Sequence, residues 1–324
     1  MDDAITVCEA RRGGLVLTAD LNDLGVTTQQ IRDGIHLGVL ACVRRGVFVR
    51  AARWEALRPE ERHRELVRSI RHTSGRDLTV CRRSAAVMHG LPLFGTIPDR
   101  VHAIDPDAAG GSSNRFLASH RGEPDDPDAI VIDGVRVTSL ARTVIDLAIH
   151  SPMLSSVPAL DQALRIAHET CGGHWTGRPE PGQLIELLDE LAPRCGRRRA
   201  IDAIGFADAD SMSVGESVSR VQMHRLGFAA PELQHRFTLS HGQVAEVDFW
   251  WRAVRAIGEF DGQIKYLDPR FREGRSAAEV VLREKQREDE LRRQSDRFLR
   301  WDWACALDSA RFGELLSAHG IPRR

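Results

Sequence analysis

Four side chains that could carry out chemistry lie within the stretch Val244–Tyr266, which reads VAEVDFWWRAVRAIGEFDGQIKY. They are Asp248, Glu259, Asp261 and Lys265. Because side chains alternate along a strand, Glu259 and Asp261 are expected on one face of the same strand. A chain reversal near residues 252–255 would place Asp248 opposite Glu259 across a hairpin.

Two carboxylates opposite each other in a sheet are destabilising, so another group must offset their charge. A divalent cation would do this, because Mg²⁺ binds one or two carboxylates together with water and phosphate oxygens. The flanking Val247, Phe249 and Phe260 predict a buried strand, where an unpaired acid is costly. The alternative is a salt-bridged hairpin whose acids face some of the many arginines. The spacing leaves both interpretations open.

The bulk composition is that of a globular protein of two or three domains. The chain has 324 residues, is 42% hydrophobic and 28% charged, and has a formal net charge of −1. This charge gives no overall attraction to nucleic acid, so any such binding must come from local basic surface. The chain has no apolar run near the ~20 residues of a membrane span, no signal-peptide pattern and no C-x-x-C spacing. We therefore expect a cytoplasmic protein with no membrane partner.

Residues 1–55 have the pattern of a winged helix-turn-helix. Thr18 is expected to cap a helix that ends at Gly25, and Thr27 or Thr28 a second helix that ends at Gly38. The following VLACVRRGVFVR alternates around Arg44-Arg45-Gly46 and predicts a β-hairpin.

In such a fold, the start of the recognition helix would reach base edges in the major groove of DNA. The residues at this position are Gln29, Gln30 and Arg32. Arg44 and Arg45 would contact phosphates from the wing. The alternative is a packing or dimerisation module whose hairpin carries solvated arginines.

The remaining chain predicts an α+β/α/β multidomain protein. We expect an α+β domain over residues 56–150, a helical connector over 151–212 and, over 213–324, a mixed sheet flanked by helices. A hairpin is predicted at Asp133-Gly134, and Arg142 and Asp146 are spaced for a structural ion pair on one helix. The histidines in apolar segments are expected to be structural: His89, His102 and His120.

The back half resembles the PD-(D/E)XK nuclease fold, most closely its very-short-patch-repair-like branch. The resemblance covers roughly residues 205–310 and is carried by the following residues: Glu216 on a helix, Asp248 on one strand, Glu259-Phe260-Asp261-Gly262 on the next, Glu284-Lys285-x-Arg287-x-Asp289-x-Leu291, and Leu299-Arg300-Trp301.

The resemblance implies Mg²⁺- or Mn²⁺-dependent hydrolysis of a nucleic-acid phosphodiester. Asp248 and Glu259 would bind the metal, Asp261 would be a further ligand, and Glu216 would support or complete the site. The chain departs from the family pattern at the lysine that follows the acid by two positions, because this position is Asp261. Lys265, or Lys285 on the next helix, would have to replace this lysine.

The front half resembles the AbiEi-type antitoxins of type IV toxin–antitoxin systems over roughly residues 5–150. The matching segments are Arg44-Arg45-Gly46-Val47-Phe48, Ser84-Ala85-Ala86-x-x-His89-Gly90-Leu91-Pro92 and Val137-Thr138-Ser139-x-Ala141-Arg142-Thr143-x-x-Asp146-Leu147-Ala148. The resemblance implies a winged-helix DNA reader that represses its own operon and a domain that counters a toxin.

Two hypotheses follow from these patterns. In the first, the front half delivers a metal-dependent endonuclease to DNA. In the second, the protein is a non-catalytic transcriptional regulator or antitoxin, with a cognate toxin as partner and a degenerate nuclease fold.

Overall fold

The computed structural model describes residues 1–72, 78–105, 114–120, 125–166, 179–240, 242–262 and 277–324, with side chains of the last range described from residue 285. They form a mixed α+β protein, as predicted at this coarse level. The chain divides into two compact units, Met1–His150 with Ala167–Ala200, and Ser151–Ile166 with Ile201–Arg324. No described helix is both long and apolar enough to span a bilayer.

The first unit begins with three helices and a three-stranded antiparallel sheet. The helices are α1 Asp2–Arg12, α2 Thr18–Asp23 and α3 Thr28–His36, and the strands are β1 Val16–Leu17, β2 Leu40–Arg44 and β3 Val47–Arg50, in sheet order β1-β3-β2. Ile5, Leu21, Ile31 and Phe48 pack into one core beneath them. The predicted hairpin is confirmed, but Thr18 begins α2 rather than capping it, since Leu17 occupies the N-cap position.

The rest of residues 1–150 builds a five-stranded mixed sheet with helices. The helices are α4 Ala51–Ala56, α5 Pro59–Ile70, α6 Arg82–Met88 and α7 Leu140–His150, and the strands are β4 Thr79–Val80, β5 Val101–Ile104, β6 Leu117–His120, β7 Ile130–Ile132 and β8 Val135–Val137, in sheet order β6-β5-β4-β8-β7. The predicted turn at Asp133-Gly134 is confirmed, with φ of 52° and 74°. The Arg142–Asp146 ion pair is also confirmed, at 2.9 Å, and both residues are buried.

The residues predicted as a connector are divided between the two units. They form α8 Met153–Arg165, α9 Pro181–Leu191 and α10 Arg197–Phe206. Helix α8 belongs to the second unit and α9 to the first.

The second unit is built around a four-stranded mixed sheet. Its elements are α11 Val214–Arg225, β9 Glu232–Thr238, β10 Val244–Trp251, β11 Ala256–Phe260, α12 Ala277–Gln294, β12 Arg297–Trp301, α13 Trp303–Leu307 and α14 Ser309–Ala318, and the sheet order is β12-β11-β10-β9. One apolar cluster joins the sheet to α11, α13 and α14, and another joins it to α12 through Leu291. Leu291 of α12 is fully buried in the second of these clusters.

Candidate functional site

The start of α3 is fixed by Thr27, an expected cap, and by Gln30, which the sequence assigned to DNA contact. Thr27 accepts a hydrogen bond from the Gln30 backbone N–H, and the Gln30 carboxamide oxygen accepts one from the Thr27 backbone N–H at 2.8 Å. This reciprocal pair is a capping box, so the Gln30 carboxamide oxygen is held at the helix end. Gln29 donates to Asp33 at 2.8 Å, and Arg32 is exposed. All three predicted side chains are exposed, but the Gln30 carboxamide oxygen is engaged in the capping box.

The two arginines predicted for the wing have different environments. Arg45 is exposed in the tight turn at Gly46, whose φ is 80°. Arg44 is half-buried, its guanidinium lies 5.5 Å from the centre of the Phe116 ring, and burial lowers its pKa. Arg45 is available to a phosphate, whereas Arg44 packs against Phe116.

Glu216 supports the start of α11. Its carboxylate accepts hydrogen bonds from the Met212 backbone N–H at 2.8 Å and from the Ser213 hydroxyl at 2.7 Å. The Gln234 side chain of β9 donates a third at 2.9 Å. Glu216 is 4% exposed, so these donors satisfy a buried carboxylate.

Asp248 and Glu259 lie across from each other where β10 and β11 separate. The strands pair as Phe249 with Gly258 and as Trp251 with Ala256, so one further step places Asp248 opposite Glu259. The Asp248 carboxylate accepts a hydrogen bond from the Phe260 backbone N–H at 2.8 Å. The predicted hairpin and register are confirmed.

Two arginines pair with Glu259. Arg287 of α12 donates to one carboxylate oxygen at 2.9 Å, and Arg300 of β12 donates to the other at 2.7 Å. Glu259 is 9% exposed. This is the salt-bridged arrangement that the spacing left open beside the metal site.

Glu216 and Glu259 are associated with opposite faces of the sheet. Phe260 packs against Gly215 of α11, and Glu259, its neighbour along the strand, therefore points to the other face, where Arg287 of α12 meets it. Within the described ranges, no three His, Cys, Asp or Glu side chains are placed to hold one metal ion. The acids are oxygen donors suited to Mg²⁺, but both carboxylate oxygens of Glu259 already accept hydrogen bonds from guanidinium groups. Metal binding stays a prediction.

One further predicted residue, Asp261, directly follows β11. Asp261 is half-exposed, and its backbone N–H donates to the Trp301 carbonyl at 2.8 Å. Lys265 lies outside the described residues, and Lys285 is exposed on α12.

A buried ion pair in the second unit has no signal in the sequence. Asp161 of α8 is 1% exposed and accepts hydrogen bonds from Arg220 at 2.9 Å, the Ser217 hydroxyl at 2.7 Å and the Asp208 backbone N–H at 2.8 Å. Burial raises the pKa of Asp161 to about 6 despite the opposing effect of Arg220. The two partners are 59 positions apart in the sequence, so no local spacing indicates the pair.

Comparison with known proteins finds distant relatives. No family model matches the chain. Two proteins of Mycobacterium tuberculosis, the uncharacterized proteins MT2308 and Rv2248, are each 24% identical over 187 residues, which are 58% of this chain and 64% of theirs. The chain thus spans 64% of the length of these curated relatives. The crystal structure of the RV2827C protein from the same species has a TM-score of 0.39 and 16% identity over 64% of this chain and 77% of its own.

Proposed function

We propose that this protein is a DNA-binding regulator whose first unit reads duplex DNA as a winged helix. The observation that carries the proposal is the order of α2, α3 and the β2–β3 hairpin, with a capped α3 that exposes Gln29 and Arg32. In this arrangement α3 enters the major groove of the DNA and the β2–β3 hairpin lies along the sugar–phosphate backbone. Arg32 and Arg45 form no ion pair with a described carboxylate, which leaves both cations available to DNA.

The two arginines have different roles in this proposal. Arg32 reads base edges from α3, and an arginine held bidentate to a guanine gives about 1–3 kcal/mol of discrimination. Arg45 contacts a phosphate, which adds affinity without sequence information. Gln30 fixes the helix start and Arg44 the base of the wing.

The second unit fits the regulator better than a hydrolase. The carboxylate oxygens of Glu216 accept from described protein donors, and both oxygens of Glu259 accept from guanidinium groups. The ion pairs of Glu259 offset its charge within a nuclease-like sheet without a metal ion. A cognate toxin remains the partner that the antitoxin resemblance implies.

We compare binding to the duplex that the intact protein binds most tightly with binding to a scrambled duplex. In the Arg32→Gln variant the ratio of the two affinities should fall about tenfold or more, which is equivalent to one lost base contact. Arg45→Gln should weaken binding to both duplexes and reduce the salt dependence by about one phosphate contact. Fluorescence anisotropy at several salt concentrations measures both effects, with exposed Arg11→Gln on α1 as the control. If Arg32→Gln and Arg45→Gln bound both duplexes as the Arg11→Gln control does, α3 and the wing would not be the DNA-binding surface.

DNA cleavage is the second candidate function. Two observations favour it: Asp248 of β10 lies opposite Glu259 of β11, and Asp261 directly follows β11. A hydrolase should nick supercoiled plasmid with Mg²⁺ or Mn²⁺ and stop doing so in Asp248→Asn. If the protein is a non-catalytic regulator, we expect the intact protein and Asp248→Asn to leave the same proportion of supercoiled plasmid with either metal. Nicking by the intact protein alone would establish the hydrolase instead.

A further inference from the structure

A cavity of about 740 Å³ in the first unit lies outside the α3 surface. Its lining comes from β2, α4, α5, the loop before β5 and the segment before β6, and includes Trp54, Arg62, His63, Arg100, Arg115 and Phe116. The volume is within the range of about 300–1,000 Å³ for small-molecule sites.

Most of the charged groups in this otherwise largely apolar cavity are cationic. Arg62, Arg100 and Arg115 line it, and Arg44 borders it by lying against Phe116. Within the described part of the chain, none of these four guanidinium groups pairs with a carboxylate, and Asp99 is the acid in the lining. Elsewhere in the same unit many arginines are paired, for example Arg12–Asp20, Arg64–Asp133 and Arg136–Asp125. The cavity therefore concentrates uncompensated positive charge.

Two aromatic rings lie among these cations. The Arg62 guanidinium lies 5.5 Å from the centre of the Trp54 ring, and that of Arg115 lies 5.6 Å from the centre of the Phe116 ring. Both rings are half-buried, so each presents part of its surface. Aromatic rings and guanidinium planes are the surfaces on which proteins stack nucleobases.

His63 anchors one wall of the cavity. It is 4% exposed, lies 2.9 Å from the Ser84 hydroxyl and donates a hydrogen bond to the Pro98 carbonyl. Burial lowers the pKa of His63 to about 4, so it is neutral at physiological pH. The loop that carries Arg100 is thus attached to α5 by a neutral group, and the positive charge of the cavity comes from arginines alone.

We propose that this cavity binds a nucleoside phosphate, with the phosphate between Arg100 and Arg115 and the base stacked against Phe116. Guanidinium groups match phosphate oxygens in geometry and charge. A bare anion would leave the rings unused, and an uncharged aromatic ligand would leave the arginines uncompensated. A volume of about 740 Å³ is large enough for a single nucleotide.

Calorimetry on the full chain tests this proposal with AMP, ATP, GTP and UTP, each without metal. Inorganic phosphate and the nucleoside of the nucleotide that binds (adenosine, guanosine or uridine) serve as the two parts of the ligand. At least one nucleotide should bind about tenfold or more tightly than either part. The Arg100→Gln/Arg115→Gln double variant and Phe116→Leu should each weaken this binding about tenfold, whereas Arg11→Gln should leave it unchanged. Thermal unfolding of each variant shows that the fold is retained.

Four results would overturn the proposal. They are no nucleotide binding, phosphate binding as tightly as every nucleotide, unchanged binding by the folded Arg100/Arg115 double variant, and binding of a single-stranded oligonucleotide with none of the mononucleotides. The last result would assign the cavity to a nucleic-acid strand.

Discussion

Replacing Arg220 by methionine is expected to lower the free energy of unfolding of the second unit by about 3–5 kcal/mol at pH 7.5. Asp161 is 1% exposed, and Arg220 is its cationic partner at 2.9 Å. Methionine retains much of the side-chain volume but leaves a buried carboxylate without its counter-charge. Arg220 also donates to the Phe206 carbonyl at 2.8 Å, and this bond is lost as well. Urea unfolding monitored by tryptophan fluorescence gives the free energy.

The matched control for this substitution is Arg225→Met on the same helix. Arg225 is exposed and hydrogen-bonds to Gln222, so its replacement should change stability by less than about 0.5 kcal/mol. If the Arg220 and Arg225 variants were equally stable, the buried pair would not support the fold.

The buried Asp161 also makes the free energy of unfolding depend on pH. The pKa of Asp161 is about 6 in the fold, against about 3.9 in an unfolded chain. The folded state therefore binds more protons between these values, so the stability that Asp161 contributes is full below about pH 4 and is lost as the pH rises through 6. The loss of unfolding free energy between pH 4 and pH 6 amounts to about 3 kcal/mol. The Asp161→Asn variant should not show this loss, because asparagine does not titrate.

Replacing Gly215 by valine is expected to destabilise the second unit by about 3 kcal/mol. A Cβ at this position would lie 2.0 Å from the Phe260 ring, far inside van der Waals contact. Phe260 is 8% exposed and packs edge-on against Trp303 with ring centres 5.0 Å apart, so the ring cannot move away freely. The glycine lets the start of α11, with Glu216, lie against the end of β11.

Gly205→Ala provides the comparison for this effect. Gly205 lies in α10, its added Cβ would meet no atom within 4 Å, and alanine should stabilise the helix by up to about 1 kcal/mol. Thermal unfolding of both variants measures the difference. A Gly215→Val protein as stable as wild type would show that α11 does not approach β11 this closely.

Local features of this fold could be predicted from the sequence because their determinants are neighbours along the chain. Thr27, one of the two threonines expected as the cap of α3, is its N-cap, and the turn at Asp133-Gly134 depends on two residues that accept positive φ. The Arg142–Asp146 pair lies on one helical face. Each of these required no knowledge of tertiary packing.

The environments of the charged groups could not be predicted in this way. The spacing of Asp248 and Glu259 was compatible with a metal ion or with guanidinium partners, and only the positions of Arg287 and Arg300 show the ion pairs. The sequence predicts a phosphate contact for Arg44, but its guanidinium packs against Phe116, which is far away in the sequence. Tertiary contacts decide which charges remain free to bind a ligand.

The central claim is that α3 and its wing read DNA, and selection from a pool of random duplexes tests it most directly. Intact protein and the Arg32→Gln variant are each used to recover bound duplexes over several rounds at physiological salt, and the recovered pools are sequenced. The account predicts that intact protein enriches one defined motif and that Arg32→Gln loses preference at one base position within it. Recovery of a pool without any motif by the intact protein would contradict the account.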